Sequence, residues 1–481
     1  MNTLKSIEPT TKAADSQTPA IAPGQLVLVQ EAPPPQPARR ATLFLMVASA
    51  LAIRLIVMGF MYQQQLNPVR DHFKFGFEAG RIAQSIALGR GFGSPLFTPT
   101  GPTAWMTPIY PYILAGFFKV FGIYTKPAAI AILSFQSLIS ALTCLPIFFF
   151  ARRGFGSYVA KCAGWAWAFF PYAIYFPIDR IWETWLATLL FSLLFLIALK
   201  LENTDRISAW IGAGLLWGLS ALNSAVGLMV LPFLHLRISY LLHKQGRRWL
   251  LPNVAFALAF IAITCPWFIR NWRTFHIFIP FRDNIGIVLR MGTKRSTDYW
   301  EPSELGPWSS SAEWQEFQRD GELKYMATKK VQAIQFIKAN PGWYLRTSLR
   351  RVVFIWTGYW SLDKSYLKLE EWDPENIVFS SAFTILTLFG LRKAWRRRRD
   401  AAIPYIIVLL IFPLIYYFTS PEFYYRRPLD PIMLVLAVYA LIPARRLDEP
   451  PSISANPDYR LQTINTNKKE DAFESELPDP V

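Results

Sequence analysis

The sequence predicts an all-α polytopic membrane protein of about ten transmembrane helices, roughly 9–12, with interfacial helices in the first exoplasmic loop and a long exoplasmic loop before the last three spans. Three observations carry that expectation. Of 481 residues, 52% are hydrophobic and only 17% charged, and the apolar residues fall in long runs. The runs lie at 41–61, 128–150, 157–177, 182–200, 208–222, 225–242, 249–269, 376–391, 401–419 and 428–444, each near the ~20 residues that cross hydrocarbon as a helix. Alternate connections are basic: Arg152/Arg153, Lys200/Arg206, Arg237/Lys244/Arg247/Arg248, Arg392/Lys393 with Arg396 to Arg399, and Arg445/Arg446. This is the pattern of cytoplasmic loops.

Residues 1–38, rich in Pro, Ala, Gln and Thr and without the short apolar region and cleavage site of a signal peptide, read as a disordered cytoplasmic tail. A transmembrane catalytic core is expected over 39–270, with an exoplasmic loop over 62–127. A long exoplasmic loop follows over 271–375, then C-terminal helices over 376–446 and a disordered cytoplasmic tail over 447–481. Within the long loop, Thr347–Trp360 is apolar but short and opens on Arg350/Arg351, so it reads as an interfacial helix. Counting it as a span would put Arg396 to Arg399 on the wrong side.

Composition also excludes functions. The formal net charge is +17, but the cations sit in the connections, where membrane topology explains them, so no nucleic-acid partner is expected. Cys144, Cys162 and Cys265 lie in or at the end of apolar segments without CxxC or Cys/His spacing. His72, His235, His243 and His276 are scattered. No cofactor is predicted; a divalent metal is compatible with membrane-surface chemistry, but no ligand spacing supports one.

Chemistry is expected on the exoplasmic face, because carriers connect their spans briefly and an enzyme must build a site outside the lipid. In the first loop, Phe75, Ala79, Ile82, Ala83 and Ile86 recur at helical spacing before Gly89 and Gly91, predicting an amphipathic helix along the membrane. Glu78 sits on it and Asp71 lies two turns earlier. Either carboxylate, presented at the interface, suits a general base toward a hydroxyl acceptor. The same spacing also fits an ordinary i, i+3 surface pair of Glu78 with Arg81. The following Pro108–Gly122 stretch is too short and interrupted for a span and lies at or re-enters the interface, suited either to packing or to lining a groove for an isoprenoid tail.

At the head of the long loop, Pro266–Trp267 is followed by Arg270, Arg273, Arg282 and Arg290, cations on the face where the usual bias is against them. Bidentate arginine suits a lipid phosphate, as it also suits bulk anionic lipid. Arg426–Arg427 form a second such pair at the mouth of the last span. Glu183, beside Asp179–Arg180, begins a span, where the helix dipole alone would also favour an acid. Trp300, Trp308 and Trp314 mark Asp298–Lys330 as an acceptor-facing surface, a lid or a spacer.

Four motifs in order, an acidic first-loop helix ending in Gly-x-Gly, TPIYPYILAGFFKVFG (Thr107–Gly122), PWFIRNWRTF (Pro266–Phe275) and YRRPLDP (Tyr425–Pro431), resemble the GT-C superfamily of integral-membrane glycosyltransferases. Within it, residues 41–445 are most similar to bacterial relatives of the protein O-mannosyltransferases and aminoarabinose transferases (glycosyltransferase family 39-like). The resemblance implies transfer of a sugar from a polyprenyl-phosphate donor to an acceptor, protein, lipid or polysaccharide, outside a bacterial inner membrane. It implies a first-loop acid as catalytic base. The family's acidic position falls here on Phe75–Gly76, so Glu78 is the nearest substitute and Asp71 the alternative. Arg270, Asn271, Arg426, Arg427 and Arg81 are the expected donor-phosphate ligands, with Glu183, Arg180 and His72 supporting the site. A flippase for lipid-linked sugar or an O-antigen-ligase-type transferase is the alternative; a transporter should show repeated halves, and no repeat is visible.

Overall fold

The computed structural model describes residues 40–65, 75–293, 305–367 and 373–443. Among them every named element is helical, and one isolated bridge pairs Gly93 with Pro102. Helix α1 (Arg40–Gln65) leads into the first loop, which carries α2 (Glu78–Ala87) and α3 (Ile109–Phe121). There follow α4 (Lys126–Leu142), α5 (Cys144–Phe155), α6 (Ser157–Ala168), α7 (Pro171–Asp179), α8 (Thr184–Leu201), α9 (Ile207–Asn223), α10 (Leu231–Lys244) and α11 (Leu250–Phe275). The long loop holds α12 (Ile285–Met291), α13 (Ser311–Ala339), α14 (Pro341–Thr357) and α15 (Lys364–Leu367). The chain closes with α16 (Asp373–Arg397), α17 (Arg399–Ile411), α18 (Leu414–Phe418) and α19 (Asp430–Leu441).

Among the described residues, six stretches are long and apolar enough to cross a bilayer: Arg40–Met61, Lys126–Phe155, Thr184–Leu201, Leu250–Phe275, Pro374–Arg397 and Arg399–Phe418. The protein is therefore an integral membrane protein. The other four expected spans are shorter or broken helices. The run 208–222 is the 17-residue α9. Proline accounts for the other three, since it removes a donor and is best placed in a first helical turn. Pro171 opens α7 after a break at Phe169–Phe170, Pro232 follows a 3-10 turn at Ala225–Met229, and Pro428 and Pro431 flank the junction of a 3-10 turn (Phe423–Leu429) with α19. Pro341–Thr357 is a 17-residue helix outside the six.

Breaking a span inside hydrocarbon leaves carbonyls without donors, and each such group costs several kcal/mol. Arg54 of α1 meets that need. Fully buried, its guanidinium donates to Trp167 O (3.2 Å) and Ala168 O (3.1 Å) at the end of α6, to Ala173 O (2.9 Å) in α7, to Ala50 O (2.7 Å) and to Ser140 Oγ (3.0 Å) in α4. One side chain thus ties α1, α4, α6 and α7 together. Elsewhere helices meet backbone to backbone through glycine: a Cβ on Gly214 would lie 2.3 Å from Phe256 O in α11, and one on Gly390 would lie 1.9 Å from Leu436 O in α19. Small residues are what permit such approach in a membrane.

Replacing Arg54 by Met should leave those carbonyls bare and lower stability by at least about 3 kcal/mol. Thermal unfolding of the detergent-purified variant beside wild type reads this directly, and an unchanged midpoint would dismiss the capping role.

Candidate functional site

Gln136 of α4 is where the site begins. Its amide is buried and fully used: Nε2 donates to Pro177 O (2.7 Å) and Arg180 O (3.1 Å), while Oε1 accepts from Tyr110 Oη (2.6 Å) and Trp182 N (3.0 Å). Two donors and two acceptor sites are all the amide has. The turn from α7 into α8 is thereby fixed and Glu183, at the head of α8, cannot swing away. Asn223 Nδ2 at the end of α9 adds a contact to Glu183 O (3.4 Å).

Glu183 faces a cavity of about 1460 Å³ at the expected exoplasmic ends of the helices. Glu78, Arg81, Asp179, Arg180, Arg282 and Glu422 line it as well. Glu183 Oε2 is buried and accepts no hydrogen bond. Burial pushes this carboxyl up from 4.5 to about 7; Arg282 works against the rise and the Glu78 charge adds to it. Two acids and a guanidinium therefore sense one another across the cavity, with one acid poised near neutrality. Environments that separate two neighbouring carboxyls are a mark of acid–base chemistry.

Glu78 is the first residue of α2, where an acid suits the helix dipole. The preceding Gly76 has φ +91°, and a Cβ there would lie 3.0 Å from Ile181 O; Phe75 is buried in the apolar cluster under the loop. The positions where an acid was looked for by counting back from Gly89 thus serve the turn and its packing, and the acid stands just after them. Helix α2 lies under protein, six of its ten residues buried, where the sequence had suggested a helix lying on lipid.

The long loop is clasped to the first by acids and arginines. Glu322 of α13 accepts from Thr103 Oγ1 (2.5 Å) and Ala104 N (2.7 Å), and Asp283 N donates to Ala104 O (3.0 Å). Burial pushes the Glu322 carboxyl above its usual range, and the neighbouring Asp283 charge pushes in the same direction. Arg270 Nη1 donates to Thr103 O and Nη2 to Phe92 O, both at 2.7 Å, and its guanidinium lies 5.0 Å from the Trp267 ring. Asn271, buried, donates to Ile279 O (2.9 Å) and accepts from Arg270 (2.9 Å).

Of the residues expected at a site, Glu78, Glu183, Arg180 and Arg81 come together on the cavity. Arg180 pairs with Asp179 (3.2 Å) and lies 4.5 Å over the Tyr424 ring. Arg81 donates to Pro95 O (3.3 Å) and lies 4.2 Å over Phe97, so it does not form the i, i+3 pair with Glu78. Four expected phosphate ligands stand elsewhere. Arg270 and Asn271 hold loops, as above. Arg426 Nη1 donates to Ile355 O and Trp356 O at 2.9 Å, and Arg427 pairs with Asp430 (2.8 Å) and lies 3.8 Å over Tyr172. None of the four is on the cavity wall. Asp71 and His72 lie outside the described residues, as does Trp300; Trp308 lines the cavity and packs on Trp105. Among the described residues no group of three His, Cys, Asp or Glu could hold a metal ion. Sequence reasoning missed Gln136 and did not single out Arg282, whose only signal was membership in a run of four arginines on the exoplasmic side.

Residues 105–269 match the model of the family described as dolichyl-phosphate-mannose-protein mannosyltransferase. That segment holds Gln136, Arg180 and Glu183, while Glu78 and Arg282 fall outside it. No curated protein matches the chain as a relative. Among solved structures, the Archaeoglobus fulgidus oligosaccharyltransferase complexed with Zn and sulfate is 14% identical, with 82% of this chain and 48% of that one covered and a TM-score of 0.47. The same archaeal enzyme with an inhibitory peptide and a dolichol-phosphate is 13% identical over 82% of this chain and 49% of that one, TM-score 0.46. ArnT from Cupriavidus metallidurans bound to undecaprenyl phosphate is 14% identical over 84% and 78%, TM-score 0.39. The chain spans about half the length of the archaeal enzyme.

Two outcomes follow from this geometry. Glu183 ionises near 4.5 when unfolded and near 7 in the fold, so the fold loses stability as pH rises from 4.5 to 7 and carries the full penalty above it. Glu183→Gln should abolish that decline, melting above wild type at pH 8 and level with it at pH 4.5; parallel pH profiles would refute the assignment. Gln136→Leu, which frees the turn before Glu183, should cut turnover about tenfold or more, and the double variant with Glu183→Gln should be no slower than Glu183→Gln alone.

Proposed function

We propose that the protein transfers a glycosyl group from a polyprenyl-phosphate sugar to an acceptor hydroxyl, with its site on the exoplasmic face of a bacterial inner membrane. The observation that carries this reading is the Glu183 carboxylate, buried, bare at Oε2 and poised near neutrality on a large cavity beside Glu78 and Arg282. The family match over residues 105–269 and the order of motifs support a sugar–lipid phosphate as donor.

In the step, the acceptor oxygen attacks the anomeric carbon, and the bond from that carbon to the phosphate oxygen breaks. The leaving phosphate keeps the electron pair and stays on its lipid. The attack comes from the face opposite the phosphate, so the single displacement inverts the anomeric centre, and the acceptor proton passes to a carboxylate of the Glu78/Glu183 pair. Arginines of the wall offset the charge arriving on phosphate, and Arg282 holds Glu183 toward its ionised form. Asp71, the alternative first-loop base, remains part of the proposal. The apolar side of the cavity, with Phe191, Phe379 and Phe412, suits an isoprenoid chain, and Trp105, Trp182 and Trp308 offer faces for a sugar ring.

Released polyprenyl phosphate, followed with synthetic lipid-phosphate sugars, checks the reading. Glu78→Gln and Glu183→Gln should each lower turnover by about a hundredfold or more with donor binding retained. Full turnover in both variants, correctly inserted, would sink the acid assignment, and no turnover by wild type with any donor and acceptor would sink the function.

A further inference from the structure

Among the described residues, the Arg351 guanidinium close to the cavity has no acid to answer it. Arg351 of α14 is 3% exposed. Its Nη2 donates to Gly292 O, while Nε and Nη1 have no hydrogen-bond partner. The Tyr344 ring is 5.8 Å away. Burial pulls its pKa down to about 10, so it stays cationic at neutral pH. An unpaired buried ion costs several kcal/mol, and in a low-dielectric interior its field reaches well past its contacts.

Where that field emerges can be read from Gly292. A Cβ built there would lie 3.4 Å from Arg351 Nη2 and 3.2 Å from the Thr419 carbonyl carbon, so one residue's thickness separates the guanidinium from Thr419. Thr419 and Ser420 line the cavity, and Ser420 Oγ is buried with no hydrogen-bond partner. Arg290 stands at the same end, its Nη1 on Thr293 Oγ1 (3.1 Å) and its Nε unmet. Next to these donors the wall turns apolar: Phe354 lies one turn beyond Arg351, and Ile415 and Phe412 precede Thr419. The acid centre is elsewhere. Nine residues separate Arg282 from Gly292, seven of them forming α12, about 10 Å of helix.

We propose that the phosphate of the polyprenyl donor seats at Ser420, drawn there by the uncompensated charge of Arg351 behind the wall, with the isoprenoid chain along Phe354, Phe412 and Ile415. This rests on the glycosyl-transfer reading and adds to it the place and orientation of the donor. Arg351 is then a positioning residue that acts through the wall, and Ser420 is the donor that touches phosphate. The apolar continuation selects a lipid phosphate over a free one.

Binding of undecaprenyl phosphate to the full-length protein in detergent, alongside donor kinetics, tests this. Arg351→Met should weaken binding and raise the donor KM about tenfold with kcat within about twofold, Arg351→Lys should restore most of the affinity, and millimolar inorganic phosphate should not displace the lipid. Ser420→Ala, which leaves Arg351 untouched, should weaken binding about threefold and carries the test if Arg351→Met does not fold. Wild-type affinity in both Arg351→Met and Ser420→Ala, or displacement by inorganic phosphate as effective as by the lipid, overturns the proposal while leaving glycosyl transfer standing. A wild-type protein that neither binds nor turns over any lipid phosphate overturns the function itself.

Discussion

The hydrogen bonds of Arg54 to the broken span are the constraint from which the rest of the architecture follows. A helix interrupted at Phe169–Phe170 would expose peptide carbonyls to lipid, and the cheaper outcome would be a continuous helix with a different exit. Because Arg54 caps those carbonyls, α7 can leave at its own angle. Its C-terminal turn then reaches Gln136, which fixes Arg180 and Trp182, and through them Glu183. A charge deep in the membrane and an acid at its surface are joined by one continuous chain of backbone and amide contacts.

The acid centre is assembled from parts of very different rigidity. Glu183 and Gln136 belong to packed transmembrane helices, Glu78 to a short helix buried beneath α3, and Arg282 to the long loop. That loop reaches the site because Glu322, Asp283 and Arg270 grip the backbone at Phe92 and Thr103–Ala104. Polar groups away from the cavity therefore set the geometry of those to which the proposal gives the chemistry. This is the usual division between a reacting set and the shell that holds it.

The helical, membrane-spanning character was legible in the sequence because it rests on hydropathy, a property of residues taken one by one. Glu78 was legible for the same reason: it is an acid on an amphipathic face. Gln136 was not, since a single glutamine in an apolar run looks alike whether it satisfies three backbone groups and a tyrosine hydroxyl or faces a neighbour. Arg54 stood out as a charge in a span, yet its partners are carbonyls, which have no signature in a list of side chains. Arg426 and Arg427 misled in the opposite way. Their cationic mouth drew attention, while the acid that takes them, Asp430, was present at i+4 and i+3 and would have been the better guide.

The clasp of Glu322 on Thr103 joins residues 219 positions apart, and that distance is also an interval of time. At about 5–20 residues per second, between roughly ten and forty seconds pass after Thr103 leaves the ribosome before Glu322 does. Arg270, which also donates to Thr103 O, is made earlier. The nascent protein thus meets the membrane with its cavity incomplete. The order of synthesis decides that the acid centre closes only once most of the helices that surround it are already in place.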